Sequence, residues 1–172
     1  MPQREIVLLG DPILREAAKE VEAFDSELKA LVHDMFITMA AAEGAGLAAP
    51  QIGVGKRVLV ADVRVEGAEP IRAAVVNPTI VEVGDEEERD SEGCLSVPGV
   101  QEFVNRPYRV VVEGFDPAGT PLRIEAEGLL SRVLQHEVDH LNGVLFFDRM
   151  SPLQRRMLLR KYRKLREEET SD

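Results

Sequence analysis

The pentapeptide His136-Glu137-Val138-Asp139-His140 requires a helix in this chain if its two histidines are to act together. Residues four positions apart lie on one face of an α-helix, so both imidazoles can bind the same metal ion. Glu137 can take a proton from a water molecule that the metal activates, and return it later. The pattern therefore predicts metal-assisted hydrolysis, although the same residues also occur by chance on ordinary helix surfaces.

The residues around the pentapeptide predict an α+β fold. The metal-binding helix should run from about Leu129 to Leu141 and end at Asn142-Gly143, where glycine suits a left-handed C-terminal cap. Segments rich in β-branched or alternating residues predict antiparallel strands packed around this central helix. These segments are residues 57–64, 71–76, 109–115 and 122–127. The sequence leaves the order of the strands open.

An N-terminal helix is expected before the first of these strands. Asp25 or Ser26 can cap it, and it should end near Gly44. Its apolar residues follow helical spacing and are Leu28, Leu31, Val32, Met35 and Met39. His33 lies off this apolar stripe, so we expect it on the surface and not at the metal.

Composition is that of an ordinary globular protein, with 44% hydrophobic and 30% charged residues, and predicts one domain over residues 1–172. The chain lacks the run of about eighteen apolar residues that a membrane span needs, and its N-terminal apolar stretch is too short for a secretory signal. The single cysteine, Cys94, cannot form an internal disulfide, which fits a reducing compartment. We therefore expect a cytoplasmic protein with no membrane partner.

Basic residues are concentrated near the C-terminus. The net charge of −10 argues against DNA or nonspecific nucleic-acid binding by the whole protein, because phosphate affinity depends on Lys and Arg. A last helix, opened by Ser151-Pro152 and covering about residues 152–168, nevertheless carries seven basic residues. They are Arg155, Arg156, Arg160, Lys161, Arg163, Lys164 and Arg166. This set is either a solvated helix face or a surface that binds RNA, such as the ribosome.

Catalytic sites of this kind usually have three protein ligands and leave one position for water. One class of peptidase has a third histidine six residues after His140, where this chain has Phe146. A downstream glutamate ligand would come from residues 167–169, a poor anchor near the chain end. Cys94 is the best candidate, because Gly93 lets the backbone approach whatever the thiolate binds. A buried thiol with only a structural role is the alternative.

Three segments resemble the motifs of the peptide deformylase family. They are Gly44-Ala45-Gly46-Leu47-Ala48-Ala49-Pro50-Gln51, Glu92-Gly93-Cys94-Leu95-Ser96 and Gln135-His136-Glu137-Val138-Asp139-His140-Leu141-Asn142-Gly143. The similarity extends from Gly10-Asp11-Pro12-Ile13-Leu14 to Leu145-Phe146-Phe147-Asp148-Arg149. The resemblance therefore covers nearly the whole domain.

This resemblance implies removal of the formyl group from the formylmethionine that begins newly made polypeptides, with release of formate. It gives the acid/base role to Glu137, and it places the Gln51 side chain and the Leu95 amide against the formyl oxygen. The implied metal ligands are Cys94, His136 and His140. The family typically uses Fe(II) in the cell and tolerates zinc, nickel or cobalt, so Fe(II) is the expected cofactor.

The substrate needs further contacts. Leu129 and Val133 precede His136 on the metal-facing side of the helix and can form an apolar pocket for methionine, or they simply pack the core. The peptide beyond methionine is expected to pair as an added strand with Gly44, Ala45 and Gly46. Gly93 is a further candidate contact. The glycines can equally serve the tight turns themselves.

Two other functions stay open on the sequence. A metallopeptidase would cut internal amide bonds and would need a cleft open on both sides, although a ligand set of one cysteine and two histidines weighs against it. A ribosome- or partner-binding protein would use the metal only structurally, which the basic helix alone supports. Glu137 and Gln51 would then have no chemical task.

Overall fold

Helices and strands alternate irregularly in the computed structural model, which describes residues 3–170 and so leaves out the two residues at each end of the predicted domain. The elements in chain order are α1 (Ser26–Ala41), β1 (Gly46–Ala48), β2 (Val58–Val63), β3 (Ile71–Val83), β4 (Glu87–Cys94), β5 (Val97–Pro107), β6 (Arg109–Phe115), β7 (Pro121–Glu127), α2 (Gly128–Leu141) and α3 (Pro152–Thr170). Five strands form a sheet in the order β1-β2-β3-β6-β7, and β4 pairs with β5 in a separate hairpin. All of these strand pairs are antiparallel.

The main sheet lies between α1 and α2, so strand β2 is buried on both faces. Alternate residues of a strand point to opposite faces. In β2, Val58 and Val60 pack in one core with α1, whereas Leu59, Ala61 and Val63 pack in another core with α2. This double burial explains why β2 reads as a nearly continuous apolar segment, and it fixes α2 beside the sheet.

The two sequence-predicted helices that flank this sheet form as expected. The Asp25 carboxylate accepts a hydrogen bond from the Leu28 amide at 3.1 Å and caps α1. The five predicted apolar positions of α1 are buried and His33 is exposed, while the helix ends at Ala41, three residues before Gly44. Gly143 has φ +73° directly after the α2 C-terminus, as the predicted left-handed cap requires.

A third core holds α3 against the hairpin. Leu158 and Tyr162 of α3 share this core with Val100 and Val104 of β5, together with Phe146 from a short 3-10 turn. Most of the other residues of α3 are charged and exposed, although the apolar Leu153 and Met157 are exposed as well. The sequence therefore predicted this helix correctly, but not that it packs beside the metal-binding motif. Within residues 3–170, no helix is long and apolar enough to cross a membrane.

The β4–β5 hairpin is the largest part of the fold that the sequence did not predict, and the short strand β1 was not predicted either. In β4 only Glu92 is fully buried, and the strand is otherwise mostly charged. A two-stranded hairpin with one solvated face needs few apolar residues, so periodicity gave no signal there. β3 is also longer than predicted, because its second half, up to Val83, is largely exposed and pairs with β6.

Candidate metal site

Cys94, His136 and His140 come together where the end of β4 meets α2. Each offers one ligand atom, and these three atoms lie within 4.8 Å of one another. The distance from Cys94 Sγ to His140 Nε2 is 3.3 Å. The two imidazole centroids are 5.0 Å apart, as expected for residues one helical turn apart. The sequence-predicted cysteine therefore lies beside both predicted histidines.

The ring of His136 is oriented by a buried carboxylate. Its Nδ1 lies 2.9 Å from Glu92 Oε1, so the ring donates to Glu92 and leaves Nε2 for an ion. Glu92 is only 6% exposed and also accepts hydrogen bonds from Arg106 and Arg132. A metal ligand whose other ring nitrogen donates to a carboxylate is a recurring arrangement in metal sites.

The donor set fits a single divalent transition metal. One thiolate and two imidazoles suit zinc and iron better than the hard cations magnesium and calcium, which prefer oxygen ligands. His140 Nδ1 and Glu137 Oε1 are buried and have no hydrogen-bond partner in the described part of the chain. Such atoms are rare in a folded protein unless a ligand or water satisfies them.

The electrostatics of the site also favour a cation. Burial lowers the pKa of His140 well below its usual value, which keeps the ring neutral and able to bind metal. Burial opposes a proton on His136, but Glu137, Cys94 and Glu92 together hold its pKa well above the usual value. The negative groups that attract a proton to His136 attract a divalent cation in the same way. Burial raises the pKa of Glu137 to about 7.

A cavity of about 770 Å³ opens in front of these residues. It brings together nearly all of the sequence-predicted site residues, namely Gly44, Ala45, Gly46, Gln51, Gly93, Cys94, Leu95, Leu129, Val133, His136 and Glu137. His140 lies behind Cys94 and is 1% exposed. Leu129 is 43% exposed at the cavity wall, so it does not serve only as a core residue.

Gln51 is held in place before any substrate binds. Its Oε1 accepts a hydrogen bond from the Ala48 amide at 2.9 Å, and its Nε2 donates to Ser96 Oγ at 3.2 Å. The same Nε2 lies 3.6 Å from Cys94 Sγ. The amide group is therefore fixed beside the thiol, with its donor side toward the site.

Gly46 makes close contact between β1 and α2 possible. A Cβ atom at this position would lie 2.6 Å from Glu137 Oε2 and 2.8 Å from Val133 Cγ1. Only glycine leaves room for the carboxylate there. Along one edge β1 pairs with β2, with Gly46 opposite Ala61. The other edge of β1 is the edge of the sheet. A peptide can therefore add along it.

The sequence analysis missed a buried ion-pair network behind the site. Arg106 bridges Glu92 and Asp139, and Asp139 also binds Arg149 at 2.7 Å. Arg132 donates to Glu92 and to the Val104 carbonyl. Arg132, His136 and Asp139 share one face of α2 by their helical spacing, but nothing in the sequence shows that this helix is buried almost throughout.

An antiparallel α+β scaffold with one cysteine, two histidines and a buried carboxylate at the wall of a cavity is the arrangement of a metal-dependent hydrolase. The family model described as "Polypeptide deformylase" matches residues 3–156. The peptide deformylase of Brucella suis is 46% identical over 171 residues, which cover 99% of this chain and 98% of that protein. The chain belongs to the peptide deformylase family, whose members are metal-dependent hydrolases.

Solved structures agree with this assignment. A crystal structure of a peptide deformylase from Legionella pneumophila matches with a TM-score of 0.89 and 47% identity, covering 99% of each chain. The peptide deformylase of Ehrlichia chaffeensis in complex with actinonin matches with a TM-score of 0.88 and 42% identity, covering 95% of this chain and 98% of that one. Both likenesses extend over nearly the full chain, so the β4–β5 hairpin and α3 belong to the shared fold.

Proposed function

We propose that Cys94, His136 and His140 bind one divalent ion with which this enzyme removes the formyl group from N-terminal formylmethionine. The observation that carries the proposal is the approach of the three ligand atoms to within 4.8 Å, beside Glu137 in the cavity wall. When bound by these three residues, a divalent ion would act as a Lewis acid and would make water a nucleophile near neutral pH. Among the ions that this donor set suits, we propose Fe(II) in the cell, with zinc, nickel or cobalt as substitutes.

We propose that Glu137 carries the proton. Its Oε1 is buried and unpartnered within residues 3–170, and a pKa of about 7 lets one group act as base and then as acid. Glu137 accepts a proton from the attacking water and delivers it to the amine nitrogen as the C–N bond of the formyl amide breaks. The products are formate and a free N-terminal methionine.

Gln51 and Leu95 are the proposed donors to the formyl oxygen. This oxygen becomes negative when the formyl carbon turns tetrahedral, and fixed N–H groups stabilise that charge more than the neutral carbonyl before it. The Gln51 amide is already anchored by Ala48 and Ser96. Loss of one such donor typically costs about 3 kcal/mol of transition-state stabilisation.

The proposed substrate pocket uses the rest of the cavity wall. Leu129 and Val133 offer apolar surface for the methionine side chain. The backbone of the next residues would pair with the exposed edge at Gly44, Ala45 and Gly46 and pass Gly93 on the hairpin side. Main-chain pairing makes few demands on side chains, which suits an enzyme that acts on many nascent polypeptides.

The experiment that tests this function compares a formyl peptide with its acetyl counterpart on one metal-quantified preparation, and it also follows cleavage of their internal amide bonds. We expect hydrolysis of formyl-Met-Ala-Ser, with formate release, and no hydrolysis of acetyl-Met-Ala-Ser or of the internal amide bonds. Cleavage of internal bonds would instead indicate a metallopeptidase. Failure to hydrolyse the formyl peptide with metal bound would refute the proposal. We also expect actinonin, with which the Ehrlichia relative was crystallised, to bind in this cavity.

We propose the ribosome as a partner through the basic surface of α3, in a cytoplasmic protein that works as one catalytic domain. Arg155 and Arg166 are paired with Asp148 and Glu169, but most basic side chains of α3 are exposed. Charge reversal of Arg156 and Arg160 should abolish salt-sensitive cosedimentation with ribosomes. Reversal of Lys29 on α1 is the control. Unchanged cosedimentation would end this proposal.

A further inference from the structure

Lys161 lines the substrate cavity, although it belongs to the basic set of α3. Its position is set by its neighbours on the helix, because Leu158 and Tyr162 are only 5% and 6% exposed in the core shared with β5. Leu165, one turn further on, lies 3.3 Å from the place that a Cβ on Gly99 would take. The hairpin and α3 therefore hold Lys161 at the rim of the cavity.

The other basic side chain of the cavity wall, Arg132, is compensated by a carboxylate. Arg132 and Glu92, both in the wall, form a buried ion pair at 2.6 Å. Within residues 3–170, Lys161 is the one cation of this wall whose side chain has no carboxylate or hydrogen-bond partner. A flexible lysine at a rim can follow a mobile ligand while its charge stays solvated.

We propose that Lys161 is a specificity-determining residue that binds an acidic side chain among the residues after formylmethionine. The inference rests on the proposed function, since it concerns the residues that follow formylmethionine in the same substrate peptide. Glu43, also at the wall, has no cationic partner in the part of the chain that the structure describes, and its charge acts against such a substrate. The contribution of Lys161 is therefore measured as the change, on its removal, in the preference of the enzyme for a glutamate over a glutamine in the substrate.

The basic set of α3 thus divides into a residue that faces the cavity and residues that do not. Lys164 is exposed, lies three positions from Lys161 and is not part of the cavity wall. The family model ends at residue 156, so it includes neither lysine.

Lys164 is a matched control for Lys161, because its removal changes the net charge of the same helix by the same amount.

The test uses C-terminally amidated peptides of the forms formyl-Met-X-Ala-Ser and formyl-Met-Ala-X-Ser, with X as glutamate or glutamine. The quantity measured is the ratio of kcat/KM for glutamate to that for glutamine at low ionic strength. An exposed charge pair corresponds to an effect of about two- to fivefold. We expect K161A to lower the ratio by about this factor for at least one position, and K161E to lower it further. The change should lie in KM and should disappear at about 0.5 M salt.

The wild-type ratio should persist in K164A. A ratio in K161A and K161E equal to the wild-type ratio at both positions would overturn the inference, and so would an equal change in K164A. If the glutamate and glutamine peptides are hydrolysed with a ratio that does not depend on Lys161, the inference fails and the proposed function stands. Hydrolysis of neither peptide by the metal-loaded wild type would overturn the proposed function and the inference together.

Discussion

The Glu92 carboxylate lies 2.9 Å from Nδ1 of His136 while it also accepts hydrogen bonds from two buried arginines. One residue of the hairpin thus orients a ring on α2 and forms ion pairs with Arg106 and Arg132. The metal site is therefore built across two elements that are far apart in sequence, and its geometry depends on residues that never touch the ion.

Replacement of Glu92 should weaken metal binding. E92Q keeps the size of the side chain but removes the charge that orients His136, and loss of such a partner typically lowers metal affinity about 10- to 100-fold. Competition with a chromophoric chelator for Zn²⁺ measures this change. E87Q, on the exposed part of the same strand, is the control and should bind Zn²⁺ like the wild type. Equal affinity of both variants would contradict the role of Glu92.

Acid should destabilise the metal-free protein partly through the same residue. Burial alone would raise the pKa of Glu92, but hydrogen bonds from His136 and Arg106 outweigh it and lower the pKa from 4.5 to about 2. Such a carboxyl stabilises the fold fully above about pH 4.5, and this contribution is lost as the pH falls toward about 2. Over this window the free energy of unfolding should fall on the order of 3 kcal/mol further in the wild type than in E92Q. Urea unfolding at several pH values measures this difference, and parallel declines would contradict it.

Substitution of Glu137 should remove activity without removing the metal. E137Q cannot accept or deliver the proton, and a general acid/base typically contributes about 100- to 10,000-fold to the rate. Formate release and bound metal should be measured on the same sample. An active E137Q, or one that is inactive only because it has lost the ion, would contradict the role that we propose.

The close approach at Gly46 should be intolerant of even one methyl group. G46A would place a Cβ against Glu137 and Val133, and a displacement of about 1 Å at a catalytic group can cost roughly 100-fold in rate. G55A is the control, because a Cβ at that position meets nothing within 4 Å. We expect kcat/KM to fall about 100-fold in G46A only. A G46A variant with normal kcat/KM would show that Glu137 and β1 are not tightly coupled.

Local signals explain what the sequence could predict. Helix caps and spacing are local, so the Asp25 cap, the α1 core stripe and the end of α2 just before Asn142-Gly143 followed from neighbouring residues. The pairing of Cys94 with the two histidines is not local, since about forty residues separate them in sequence. The resemblance to peptide deformylases brought these residues together, whereas spacing alone left a structural thiol as an alternative.

The network behind the site could not be predicted in this way. Arg106, Glu92 and Asp139 each look like surface residues in sequence, because charged side chains are rarely buried unless they are paired. Their pairing depends on the register of the β4–β5 hairpin, which places Arg106 opposite Glu88 and therefore on the same face of the hairpin as Glu92, with which it forms an ion pair. The position of Lys161 could not be predicted either. It depends on how α3 packs against the hairpin, and nothing in the α3 sequence shows which of its lysines faces the cavity.

The central claim is that one cysteine and two histidines share a single ion. X-ray absorption fine structure of the Zn²⁺-loaded protein tests it most directly. We predict a shell of one sulfur at about 2.3 Å and two imidazole nitrogens at about 2.0–2.1 Å, with the sulfur contribution absent in C94A. A wild-type shell without sulfur, made only of nitrogen and oxygen, would contradict the account.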